Sequence, residues 1–106
     1  MQKNKLTYMC TRVECIEKLT KAESYIRKEF GVSSMCLFGS MARGDNRPDS
    51  DVDIFVEMPP KIFKVIGLKN YLQDILGLAV DVIRKHPGLN SLLLNEINRD
   101  GITIFS

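Results

Sequence analysis

No run in this 106-residue chain approaches the roughly 18 apolar residues of a membrane span, and residues 1–9 hold two lysines but no apolar signal core. The chain is therefore expected to be soluble and cytoplasmic. An excess of either charge is also missing, since 15 Lys and Arg against 13 Asp and Glu leave a net charge of +2. So weak a field predicts no direct nucleic-acid partner. Cysteine is scarce and odd in number, with no Cys-x-x-Cys spacing, and the single histidine, His86, has no cysteine or acid at ligand spacing. Cys10, Cys15 and Cys36 read as reduced thiols, Cys36 buried in a strand, and His86 as a surface residue.

Repeats, low-complexity segments and linkers are absent as well. With 44% apolar and 26% charged residues the composition is ordinary for a globular protein. One domain over residues 1–106 is expected, with residues 1–10 as a loose lead-in.

Periodicity supplies the elements. Val13, Ile16, Leu19, Ala22, Ile26 and Phe30 recur at helical spacing, with Thr11 and Glu14 placed for a capping box and Gly31 for a stop. One helix is predicted there. Residues 32–38 read as a buried strand, 40–43 as a helical turn, 45–50 as an exposed loop and 51–57 as an alternating strand. On that strand Asp51, Asp53 and Phe55 face one way, and Val52, Ile54 and Val56 face the core. Pro59-Pro60 then opens a helix over 61–76 with its stripe on Ile62, Val65, Ile66, Leu72, Ile75 and Leu76. A strand over 78–83, a helix over 89–98 and a strand over 102–105 complete the chain. This alternation predicts an α/β (α+β) fold, a mixed sheet of about four strands with helices packed against it.

The chemistry concentrates between Leu37 and Val56. An apolar run ends in Gly39-Ser40, ten residues intervene, and Asp51 and Asp53 then open a second apolar run. Two carboxylates on one face repel each other unless a cation lies between them, and Mg²⁺ commonly reaches a protein through one or two carboxylates plus substrate phosphates. Gly39 and Ser40 could offer backbone N–H groups and a hydroxyl to phosphate, or could simply turn a strand into a helix. Asp81 interrupts the apolar run Leu78 to Ile83, where a buried charge needs compensation. It would otherwise be an exposed edge residue. Arg43 could pair with a phosphate or lock the loop through Asp49 or Asp51, and Ser50 is placed to brace the loop. Arg47, Lys61, Lys64, Arg84 and Lys85 read as solvated surface. Tyr8, Tyr25 and Tyr71 read first as packing residues and second as targets of self-modification.

Gly39-Ser40, the ten-residue spacing and Asp51-Val52-Asp53 resemble the signature of the polymerase-β-like nucleotidyltransferase superfamily. The fuller pattern, Phe38 to Gly44 followed by Ser50 to Asp53, resembles its minimal, MntA-type members, often the antitoxin halves of HEPN/MNT pairs. The resemblance implies that Asp51, Asp53 and Asp81 hold two Mg²⁺ ions, or Mn²⁺, and that Gly39, Ser40 and Arg43 bind the nucleotide, ATP. It further implies transfer of AMP to a tyrosine hydroxyl of a partner HEPN toxin. The chain lacks the HEPN Arg-x4-6-His arrangement and would be the antitoxin. A non-catalytic binding module and an enzyme acting on a small hydroxyl compound are the rival readings, and a homo-oligomer is an open option.

Overall fold

The computed structural model describes residues 10–106; Tyr8 and all of the expected lead-in except Cys10 lie outside them. Cys10 itself is buried, its sulfur 2.9 Å from that of Cys15. The order is α1 (Arg12–Lys21), α2 (Glu23–Phe30), β1 (Ser34–Phe38), α3 (Gly39–Arg43), β2 (Val52–Glu57), α4 (Ile62–Leu76), β3 (Val80–Arg84), α5 (Ser91–Asp100) and β4 (Ile102–Phe105). The four strands form one mixed sheet in the order β3-β2-β1-β4. β1 runs antiparallel to β2 and β4, and β2 runs parallel to β3. No helix among the described residues is long and apolar enough to cross a membrane.

Strand alternation decides which face carries what. Met35, Leu37, Val52, Ile54, Val56 and Val80 are buried in one core with Leu19, Ile26, Phe30, Leu68, Leu72 and Leu76 of the helices. The alternate residues of β2, Asp53 and Phe55, are half-buried on the opposite face. Cys36 shares the phase of that second face and is half-buried rather than buried, because Met35 and Leu37 are the residues of β1 that meet the helices.

The predicted first helix is two. Its capping box forms, with Thr11 Oγ1 accepting from the Glu14 N–H and the Glu14 side chain accepting from the Thr11 N–H. At Ala22, with φ −88° and ψ 2°, the helical path breaks. The Thr20 hydroxyl donates to the Ile16 carbonyl at 2.7 Å one turn before the break, a back-bond that bends helices. The buried stripe runs through Cys15, Leu19, Ile26 and Phe30, and Val13, off that stripe, lies 61% exposed.

On α4 the buried stripe is Leu68, Leu72 and Leu76, whereas Ile62 and Ile66 are exposed. The two prolines precede the N-cap, Lys61, instead of occupying the first turn. Gly67 allows this helix to approach α2, since a Cβ there would lie 3.1 Å from the Phe30 ring.

Candidate active site

The site is built where β1 ends. Phe38 pairs with Asp53 across the antiparallel ladder, and Gly39 turns the chain into α3 with φ +74°. Only a glycine fits there. A Cβ on Gly39 would overlap Asp53 Oδ2, so the backbone of the turn lies directly against that carboxylate. α3 is held down by buried Met41 and Ala42, and Arg12 Nη1 donates to the Ala42 carbonyl at 3.0 Å. The loop that follows is internally braced, the Ser50 hydroxyl accepting from the Arg47 N–H at 2.8 Å.

Asp51 is exposed one residue before β2, and the Val52 N–H donates to the Ala79 carbonyl, anchoring the start of the strand. Asp53 stands beside Asp81 in the parallel register of β2 and β3, strands spaced about 4.8 Å apart. Asp81 is not buried, contrary to the cost argued from its apolar run, because β3 is the outer strand of the sheet and leaves this residue in solvent.

The acids disturb one another. Burial first, then the charges of Asp81, Asp51 and Glu96, push the Asp53 carboxyl up from 3.8 to about 6, against a smaller opposing effect of Arg43. An Asp81→Asn variant is expected to bring the Asp53 titration, followed by carboxyl ¹³C NMR, measurably below this value. An unchanged titration would mean that the two strands do not couple.

Arg43 locks the loop, but through neither Asp49 nor Asp51. Its Nε bonds Asp45 at 3.2 Å, and Nη1 bonds Glu96 at 3.4 Å and lies 4.0 Å from Asp100. α5 thus reaches the site through two acids that the motif does not contain. Glu96 is the one whose charge is also felt at Asp53. Its only signal in the sequence is the four-residue spacing of Glu96 and Asp100, which places both on one helix face.

Among the described residues no three Asp, Glu, His or Cys side chains form a ready-made metal cage. The donor set nonetheless fits a hard cation that arrives with a nucleotide. Asp53 is the half-buried anchor, its charge is disfavoured by two neighbouring carboxylates, and a divalent ion needs few protein ligands when phosphates complete its shell.

A turn-bound glycine, a half-buried acid and an acid beside it on the next parallel strand thus meet at one end of a small mixed sheet. Residues 19–103 match the nucleotidyltransferase domain family, and the chain belongs to it. Protein adenylyltransferase MntA of Thermococcus cleftensis is 38% identical over 94 residues, covering 84% of this chain and 95% of that protein. A chain of Methanocaldococcus jannaschii assigned as a protein adenylyltransferase is 37% identical over 98 residues, covering 91% of this chain and all of its own length. The fold is also that of the MNT antitoxin complex with a tri-AMPylated HEPN toxin from Shewanella oneidensis, at a TM-score of 0.64 and 17% identity over 91% of this chain and 73% of the other. The chain is thus an enzyme of nucleotidyl transfer, and its relatives are named as protein adenylyltransferases.

Proposed function

We propose that this chain is a metal-dependent protein adenylyltransferase that moves AMP from ATP to a tyrosine hydroxyl of a partner HEPN toxin and so acts as its antitoxin in the cytoplasm. The carrying observation is the Asp53–Asp81 register pair, with the Asp53 carboxylate set against the Gly39 turn. The names of the relatives support the chemistry, and the toxin complex with the same fold supports the partner.

In this reading Asp51 and Asp53 would hold two divalent ions with the triphosphate, and Asp81 would complete the site of one. Bound there, the ions would lower the pKa of an attacking hydroxyl and neutralise the leaving pyrophosphate. Gly39 and Ser40 would offer backbone N–H groups and a hydroxyl to the triphosphate, and Arg43 is the basic residue that ends the same short helix. Asp81, exposed on the edge strand, is open to an incoming hydroxyl and could accept its proton. The nucleophile oxygen bonds the α-phosphorus as the bond to pyrophosphate breaks, so positioning and charge neutralisation are all the protein must supply.

The test uses the purified chain, labelled ATP, Mg²⁺ and the HEPN protein that co-purifies with it. Label and an AMP-sized mass gain on a partner tyrosine are expected, and both should vanish with the Asp51→Asn, Asp53→Asn double variant. If no label moves while wild type and variant silence the partner equally, the chain is a binding module and the proposal fails.

A further inference from the structure

Among the described residues, α4 begins with an apolar surface left exposed. Ile62 is 69% exposed, Phe63 85% and Ile66 47%. A one-turn spacing puts Ile62 and Ile66 together, with Phe63 beside them. Lone exposed apolar residues are ordinary, but a cluster of three large ones marks an interaction site.

Two hollows flank the cluster. One, of about 610 Å³, lies between α2 and α4 against Phe30, Lys61 and Phe63. The other, of about 320 Å³, is lined by Pro60, Ile62, Val65, Ile66 and Arg84. The exposed side chains stand between the two hollows, an apolar surface against which an amphipathic helix of another protein can lay its apolar face.

Charge selects the occupant. The first turn of α4 has no acidic residue, and Lys61, Lys64 and Arg84 border the hollows with Glu29 as the one acid among their lining residues. The Lys64 ammonium already caps the Glu29 carbonyl at 2.7 Å, and the helix N-terminus adds its own partial positive charge. A second copy of the chain docked symmetrically would set these cations against their own duplicates, which costs rather than stabilises. An acid-bordered apolar helix would be complementary.

Position decides what such docking can do. β2 runs from the catalytic end at Val52 to Glu57, about 17 Å at the usual rise per residue, and α4 starts beyond its far end. A partner seated on α4 leaves Asp51, Asp53 and Asp81 uncovered.

We infer that the Ile62–Phe63–Ile66 face of α4 is the docking surface for the protein substrate, and that it receives an amphipathic helix of that partner whose apolar ridge is bordered by Asp and Glu. The inference rests on the adenylyltransferase reading for the existence of a protein partner. Affinity is carried at this face, and the chemistry is carried at the other end of the sheet.

The test compares wild type with a Phe63→Ser, Ile66→Ser variant and with a Lys61→Glu, Lys64→Glu variant against the co-purifying HEPN protein. Both side chains of the first pair are exposed, so its thermal midpoint should stay within a few degrees of wild type. It should bind the partner at least about 30-fold more weakly, as loss of a hot spot does. The KM for the partner should rise accordingly, with the rate at saturating partner and the binding of ATP unchanged. Charge reversal should slow association about tenfold at low salt, and the difference should disappear at high salt.

Unchanged partner affinity in the serine variant overturns the docking surface while labelling by wild type leaves the adenylyltransferase reading intact. Partner binding without labelling by wild type, lost in the serine variant, sinks adenylylation and keeps the surface. A wild-type dimer that the serine variant converts to monomers, with partner affinity unaltered, assigns the face to a second copy and overturns the inference.

Discussion

Asp53→Asn is expected to give a chain that is more stable than wild type at pH 7.5 without metal, yet transfers no measurable AMP. The folded carboxyl titrates at about 6, against 3.8 for the ordinary group. Between those values the folded state binds more protons than the unfolded state, so stability falls as pH rises through the window. Above pH 6 the whole penalty is present, on the order of 2 kcal/mol once partial solvent exposure is allowed for. Well below pH 3.8 both states are protonated and it vanishes. Removing the charge should therefore raise the thermal midpoint at pH 7.5, and the two proteins should converge only at about pH 3.

Mg²⁺ with a non-hydrolysable ATP analogue should reverse the order, because a ligand that binds only the folded state stabilises by mass action. Wild type should then gain and the variant should not. Losing several kcal/mol of charge stabilisation at the transition state means at least about a thousandfold in rate. The outcome that contradicts this account is a metal-free wild type more stable than the variant at pH 7.5, for the acids would then be paired rather than opposed.

The part of this site that the sequence displays is the part written in short-range pattern. Val52, Ile54 and Val56 alternate with Asp53 and Phe55 over a single strand, and a period of two fixes both faces at once. The Gly39 turn and the Thr11 capping box are likewise local. α4 is different, because Ile62, Phe63, Val65, Ile66, Leu68, Leu72, Ile75 and Leu76 surround most of its circumference. Several stripes fit such a helix, and only contact with the sheet selects Leu68, Leu72 and Leu76.

Long-range placement accounts for the remaining differences. Asp81 sits in an apolar run that reads as buried, and its exposure follows from β3 ending the sheet, which periodicity does not encode. Arg43 meets Glu96 across 53 residues of chain, a contact that no local spacing announces, whereas its other partner, Asp45, is only two residues away. The break at Ala22 has neither proline nor glycine to announce it.

Gly39→Ala should damage both stability and activity, since it combines two faults that can be measured apart. At φ +74° an L-residue is strained, a cost of about 1–2 kcal/mol for leaving the glycine-friendly region occupied by a Cβ. In addition that Cβ would overlap Asp53 Oδ2 and lie 3.0 Å from Asp53 Cγ. The carboxylate must move, and a shift of about 1 Å at a reacting centre is worth roughly a hundredfold in rate. Gly77→Ala provides the comparison, for Gly77 has φ +70° but nothing within 4 Å of the new Cβ. Gly77→Ala should lower the thermal midpoint by about 5–10 °C and keep its transfer rate within about twofold. Gly39→Ala should lose more stability and fall to about 1% of the wild-type rate or less. If the two variants lose stability equally and both remain active, the turn does not press on Asp53, and the close approach of the Gly39 backbone is not what positions the carboxylate.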